Sequence, residues 1–116
     1  ALRSYATALR SVSLFGRACR LRDKGNKVVA LNVARESLKL LSQPHVLRSN
    51  PVEASAVANS TVLIEELSRE LDQPGASSAD IVEALKSIRA NGTGTDLEGW
   101  VPYLEARLAE GQARAG

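Results

Sequence analysis

One cysteine, one histidine and no methionine in 116 residues remove several kinds of protein before any pattern is read. The lone thiol, Cys19, can form no internal disulfide and no thiolate metal site, and it favours an intracellular setting. His45 is the only imidazole, which leaves no histidine cluster with metal-ligand spacing and a single histidine to act as a base. The missing methionine leads us to expect a processed form or a piece of a longer protein. Aromatic residues amount to 3%, namely Tyr5, Phe15, Trp100 and Tyr103, so the core has to be aliphatic. No apolar run approaches the roughly 20 residues that span a bilayer, which argues against a transmembrane segment and predicts a soluble domain.

What is present is ordinary globular composition, 44% hydrophobic and 24% charged, at a length that predicts one domain over residues 1–116. Leucine, valine, isoleucine and abundant alanine favour helices that approach one another closely. A sandwich or barrel would want more aromatic and β-branched residues, and no segment sustains strand alternation. The expected fold is all-α, a compact bundle of four to five helices.

Residues 2–23 set Tyr5, Ala8, Val12, Phe15 and Cys19 at three- and four-residue spacings, which predicts that they share an inward face. Gly25 suits the left-handed position that closes such a helix. A second helix over 27–42 carries two apolar stripes, with Ala30, Leu31, Ala34, Leu38 and Leu41 in one and Val29, Val33 and Leu40 in the other. Apolar on so much of its circumference, it is expected to lie centrally beside the third. That third helix opens at Asn50-Pro51-Val52-Glu53, where Asn50 can cap, Pro51 suits the first helical position and Glu53 can reach back. It should run to about Asp72, with Ala56, Val57, Leu63, Ile64, Leu67 and Leu71 inside and Glu65, Glu66, Arg69 and Glu70 largely outside. Gln73-Pro74-Gly75 ends it. A fourth helix over 79–90 turns Ile81, Leu85 and Ile88 inward, Asn91–Thr95 reads as a loop, and a short turn at 96–99 precedes a last helix over 102–112.

Charge is divided along the chain. Residues 1–50 carry ten cations against two acids, a net of +8, whereas residues 51–116 carry five cations against eleven acids, a net of −6. Through residue 22 the first helix holds five arginines and no acid, a composition similar to that of an organelle-targeting presequence. Arg3, Arg10, Arg17 and Lys24 recur every seven residues and form a basic stripe, with Leu14 and Leu21 beside it. Exposed leucines flanked by arginines are what an amphipathic protein-binding surface offers, so these six residues are the expected partner-binding site. The partner is expected to be a protein. The chain's own acidic half, in the same molecule or a second copy, is an expected counterpart of the stripe. Nucleic acid or an anionic membrane is the alternative, weakened for single strands by the scarcity of stacking aromatics.

Nothing in the sequence assembles a reaction. Cys19 falls on the apolar face, where a thiol serves as a small core residue, and His45 sits in the connection Gln43-Pro44-His45, where a surface loop residue is expected. Glu65 and Glu66 are neighbours on a helix and diverge by about 100°, so they cannot converge as an acid–base pair. Gly92-Thr93-Gly94-Thr95-Asp96 lacks the lysine and preceding strand of a phosphate loop, and no cofactor fingerprint occurs elsewhere. Asn59-Ser60-Thr61 and Asn91-Gly92-Thr93 match the glycosylation pattern without a secretory signal to give it meaning.

Residues 15–44, through Phe15-Gly16-Arg17-Ala18, Gly25-Asn26, Ala30-Leu31, Ala34, Leu38 and Pro44, loosely resemble a tetratricopeptide or microtubule-interacting-and-trafficking hairpin. That resemblance implies two closely packed helices and a groove for a partner's peptide. The segment between Gly16 and Gly25 is two residues longer than the tetratricopeptide spacing and no second copy follows, so it is read as a generic helical hairpin. The expected function is non-enzymatic: an adaptor or regulatory domain that binds another protein.

Overall fold

In the computed structural model, residues 2–91 and 95–115 are described, with side chains as far as Gly111. Helices α1 (Leu2–Asp23), α2 (Lys27–Leu40), α3 (Pro51–Leu71), α4 (Ser78–Asn91) and α5 (Val101–Ala115) follow in order, with a 3₁₀ turn at Asp96–Trp100 before the last. The fold class is all-α and the arrangement a five-helix bundle. The centre of the loop expected at Asn91–Thr95, with the glycosylation pattern on it, lies outside the described residues.

Local chemistry explains the ends. Gly25 takes the left-handed conformation at φ +83°, and the amides of Gly25 and Asn26 return to the carbonyls of Arg22 and Leu21 to close α1. Asp72 does the same for α3 at φ +55°, with Gln73 N–H donating to the carbonyl of Ser68 at 2.8 Å. Pro51 stands at the start of α3, where its missing N–H removes no helical bond. Pro102 is likewise in the first turn of α5, which begins one residue earlier than its proline suggests.

α3 is the wall shared by two apolar clusters. On one side Val57, Leu63, Ile64 and Leu67 meet Leu31, Val33, Ala34, Leu38 and Leu41 of α2 and its end, with Ala8 and Ala18 of α1. On the other, Ala58 and Val62 meet Ile81, Ala84, Leu85 and Ile88 of α4 and Leu104 of α5. α3 thus touches α1, α2 and α4, whereas α2, among the described residues, packs against the helices α1 and α3 alone. The expectation that α2 shares the centre is corrected: its Val28 and Val29 are exposed.

The corrections to α1 are larger. Its buried residues are Ser4, Thr7, Ala8, Ser11 and Ala18, while Tyr5 and Val12, expected inside, are exposed. Phe15 and Cys19 are half-buried against the core. Small side chains on this face let α1 lie close to its neighbours. Ser11 Oγ and Ser37 Oγ stand 2.8 Å apart and each donates to the other residue's carbonyl at 3.0 Å. Ser37 Oγ is also 2.7 Å from Ser60 Oγ, so one hydroxyl chain runs through α1, α2 and α3.

Glu53 and Glu65 are both buried at 2% exposure, although Glu65 is expected on the outer face. Glu53 accepts from Ser4 Oγ at 3.0 Å and from Asn50 Nδ2 at 2.9 Å, and Leu47 N–H donates to Ser4 Oγ at 2.8 Å. Asn50 does occupy the cap position of α3, yet its side chain makes no capping bond to the backbone. Its amide is used to satisfy the buried carboxylate.

Candidate functional site

The outward side of α1 is the most unusual surface of the bundle. Leu2, Tyr5, Leu9 and Val12 are 85%, 48%, 50% and 47% exposed, at spacings of three and four that align them along the helix. A helix in water normally turns such residues inward and its serines outward. Here the order is reversed, because the inner side of α1 is committed to close approach and to the hydroxyl chain.

At Val12 the stripe runs into a groove of about 440 Å³ between α1 and α3. Val12 and Phe15 form one wall, Pro51, Val52 and Ala56 the other, and Ser55 and Asn59 lie along it. Val52 is itself exposed, so apolar surface continues from one helix to the next. The groove lies on the α3 side of the stripe. Helical geometry sets Arg10 and Arg17 about 100° round from Leu9, on the opposite flank.

The six residues expected to bind a partner separate into two groups. Arg3, Arg10 and Arg17 are exposed along α1, and Lys24 is exposed in the turn that follows. Among the described residues, none of these four forms an ion pair. Leu14 and Leu21 are half-buried and pack against the core, so they are not the apolar contacts of an outer surface. Leu2, Tyr5, Leu9 and Val12 take that place. The missed signal is the run Ser4, Thr7, Ala8, Ser11 and Ala18, whose helical spacing marks a small-residue packing face as clearly as leucines mark an apolar one.

Part of the charge division is settled within the molecule. Arg22 of α1 reaches Glu66 at 3.4 Å, Lys27 of α2 reaches Glu70 at 3.1 Å, and Arg48 reaches Asp80 at 3.9 Å. Each joins the basic half to the acidic half at a partly exposed position, where such pairs contribute about 0–1 kcal/mol. Among the described residues, Arg3, Arg10, Arg17 and Arg20 of α1 are left over from this pairing.

Two further clusters have some chemistry. Thr7 Oγ1 lies 2.7 Å from His45 Nε2, so His45 is half-buried and tied to α1, more constrained than a free loop residue. A hydroxyl beside an imidazole has the form of a nucleophile and base, but Thr7 is buried, which keeps its hydroxyl from a substrate. Glu65 pairs with Arg107 Nε of α5 at 3.4 Å, without an aligned hydrogen bond to its Oε1. Burial pushes its carboxyl above the ordinary range, opposed by the Arg107 charge. Arg69 stacks over Tyr103 beside it at 5.2 Å, and Tyr103 meets Trp100 edge-on at 5.5 Å. This cluster fastens α5 to α3. Cys19 is a half-buried thiol whose burial pushes its pKa up, away from thiolate reactivity.

Among the described residues no three of histidine, cysteine, aspartate and glutamate come together as a metal site, and no helix is long and apolar enough to cross a membrane. Fold and surface together define a five-helix bundle with an apolar, cation-flanked outer helix. No protein-family model, curated protein or solved structure matches the chain.

Proposed function

We propose that this domain is a protein-interaction module, an adaptor or regulatory element, that docks its partner on the outer face of α1 and in the groove beside α3. The observation that carries the reading is the reversed helix: α1 buries Ser4, Thr7 and Ser11 and exposes Leu2, Tyr5, Leu9 and Val12. Contiguous exposed apolar surface rimmed by polar residues marks sites of association. The bland account, scattered surface leucines, fits less well because the four are aligned and continue into Val52.

A second reading, contact with nucleic acid or an anionic membrane, draws on Arg3, Arg10 and Arg17, exposed and unpaired among the described residues. The two readings part on salt. Phosphate-driven binding collapses between low and high salt, whereas an apolar interface persists. The test is retention of lysate proteins, after nuclease treatment and at about 0.5 M salt, where screening acts within a few ångströms. Proteins held by the unaltered domain and lost from Leu9→Glu/Val12→Glu support the reading. Equal retention by both, or retention that vanishes with salt or nuclease, overturns it.

A further inference from the structure

We infer that α1 also lies on an anionic membrane surface, with Leu2 and Leu9 dipped among the lipids and Arg3, Arg10, Arg17 and Arg20 on the headgroup phosphates. This goes beyond the protein-docking reading, since the groove at Val12 and Val52 opens on the other flank of the helix and stays free for a partner.

The angular order of residues round α1 comes first. Leu2 and Arg20 stand seven and eleven positions from Leu9, which sets each within about 20° of it. Arg17, Arg10 and Arg3 follow at about 80°, 100° and 120° from Leu9, on the side away from Val12. All six are exposed, Leu2 at 85% and Leu9 at 50%. Ala6 and Ser13 lie between them, exposed and small. No acid precedes Asp23, and among the described residues none of the four arginines forms an ion pair.

A surface that passes from apolar to cationic over a third of a turn is wider than one docked helix covers. A plane covers it. With Leu2 and Leu9 lowermost, Arg3, Arg10 and Arg17 stand near the height of the helix axis, where their long stems carry the guanidinium groups to the headgroups. Arg20 lies about 27 Å along the helix from Leu2, past the leucines, and meets the headgroups directly. This is the posture of an amphipathic helix in the membrane interface, apolar side down and cations among the phosphates. Ser4, Thr7 and Ser11 meanwhile hold the inner side of α1 on the bundle, so the leucines face outward without the helix leaving the fold.

Other occupants account for half of this surface. Nucleic acid would use the arginines and leave Leu2 and Leu9 in water. Two copies meeting here in a two-fold arrangement would set arginines against arginines. An anionic leaflet is negative at its surface and apolar just beneath, and it answers both.

The experiment sediments the whole chain with vesicles of phosphatidylcholine, alone or mixed with phosphatidylserine. The mixed vesicles are expected to bind it at least about tenfold more tightly. Arg10→Glu/Arg17→Glu and Leu2→Ser/Leu9→Ser should each weaken that binding by at least about tenfold, with unchanged helical circular dichroism. Lys86→Glu/Arg89→Glu, an equal change of net charge on α4, should keep it. Equal binding to the two kinds of vesicle, or an equal loss from the α4 variant, overturns the inference. So does full binding by Leu2→Ser/Leu9→Ser, which would reduce the contact to charge alone and favour nucleic acid. Arg10→Glu/Arg17→Glu leaves the groove untouched and should still hold lysate proteins, which separates a failure here from a failure of the docking reading.

Discussion

The carboxylate of Glu65 rests against the backbone of Gly75 so closely that a β-carbon on that glycine would stand 2.9 Å from the carboxyl carbon and collide with Oε2. Gly75 is therefore glycine for want of space, since its backbone angle is open to any residue. Glu65 is enclosed by α3, Arg107 and the segment after α3, and has little room to retreat. Gly75→Ala should destabilise the fold by about 1–3 kcal/mol in urea unfolding, the range of overpacking. Adding Glu65→Ala should relieve that particular loss, visible as a favourable coupling in the double-mutant cycle.

Glu65 also predicts a pH dependence. With its folded pKa raised above the ordinary 4.5, the folded state keeps this proton after the unfolded chain has released it. The group therefore lowers stability as pH rises from about 4.5 through its folded pKa, the reverse of a salt-bridged carboxylate with a depressed pKa. Glu65→Gln keeps the shape and an acceptor for Arg107 but removes the titration. Its melting temperature relative to the unaltered chain should climb with pH above 4.5 and show no trend below it. A difference constant across that window would mean that Glu65 does not titrate abnormally.

At the start of α3, Asn50→Ala should cost about 1 kcal/mol, since a buried carboxylate loses one of its two side-chain donors. The sharper comparison is Asn50→Asp. As a helix cap aspartate equals asparagine, so a capping role predicts no loss. Here the new carboxylate would face Glu53, and Asn50→Asp should be less stable than Asn50→Ala by chemical denaturation at pH 7.

Ser37 is the middle of the hydroxyl chain and is fully buried. Ser37→Ala should cost about 1–3 kcal/mol by orphaning the Ser60 hydroxyl, while Ser11 keeps its bond to the carbonyl of residue 37. Ser37→Leu should do more harm by forcing α1 away from α2, read as faster hydrogen exchange throughout α1.

Helix positions were legible in the sequence because their punctuation is local. Gly25, Pro51 and the break after Leu71 each act within a turn or two, and Leu63 and Leu67 are buried as their spacing implies. What failed was the facing of α1. Hydrophobic periodicity assigns Tyr5 and Val12 inward on the assumption that the apolar side meets the core, and a helix held by hydroxyls and alanines breaks that assumption. Glu53 and Glu65 were missed for a related reason. A carboxylate goes inside when distant partners, Ser4 for one and Arg107 for the other, arrive to meet it, and residues 49 and 42 positions apart leave no local trace. The seven-residue spacing sets Leu14 and Leu21 beside the basic stripe, where the core in fact reaches round to cover them.

The serine chain also fixes how the first three helices may slide. Apolar contacts are tolerant of displacement, because one leucine can replace another against the same surface. Hydroxyls are not: a shift of α1 along α2 by one turn, about 5.4 Å, would carry Ser11 out of reach of both Ser37 and its carbonyl and leave buried donors without acceptors. Only one alignment satisfies Ser11, Ser37 and Ser60 together, while Ser4 with Glu53 and Thr7 with His45 lock the same alignment a turn or two away. The width of the groove between Val12 and Val52 is thereby a fixed dimension of the bundle, set by hydroxyls rather than by the apolar side chains that line it.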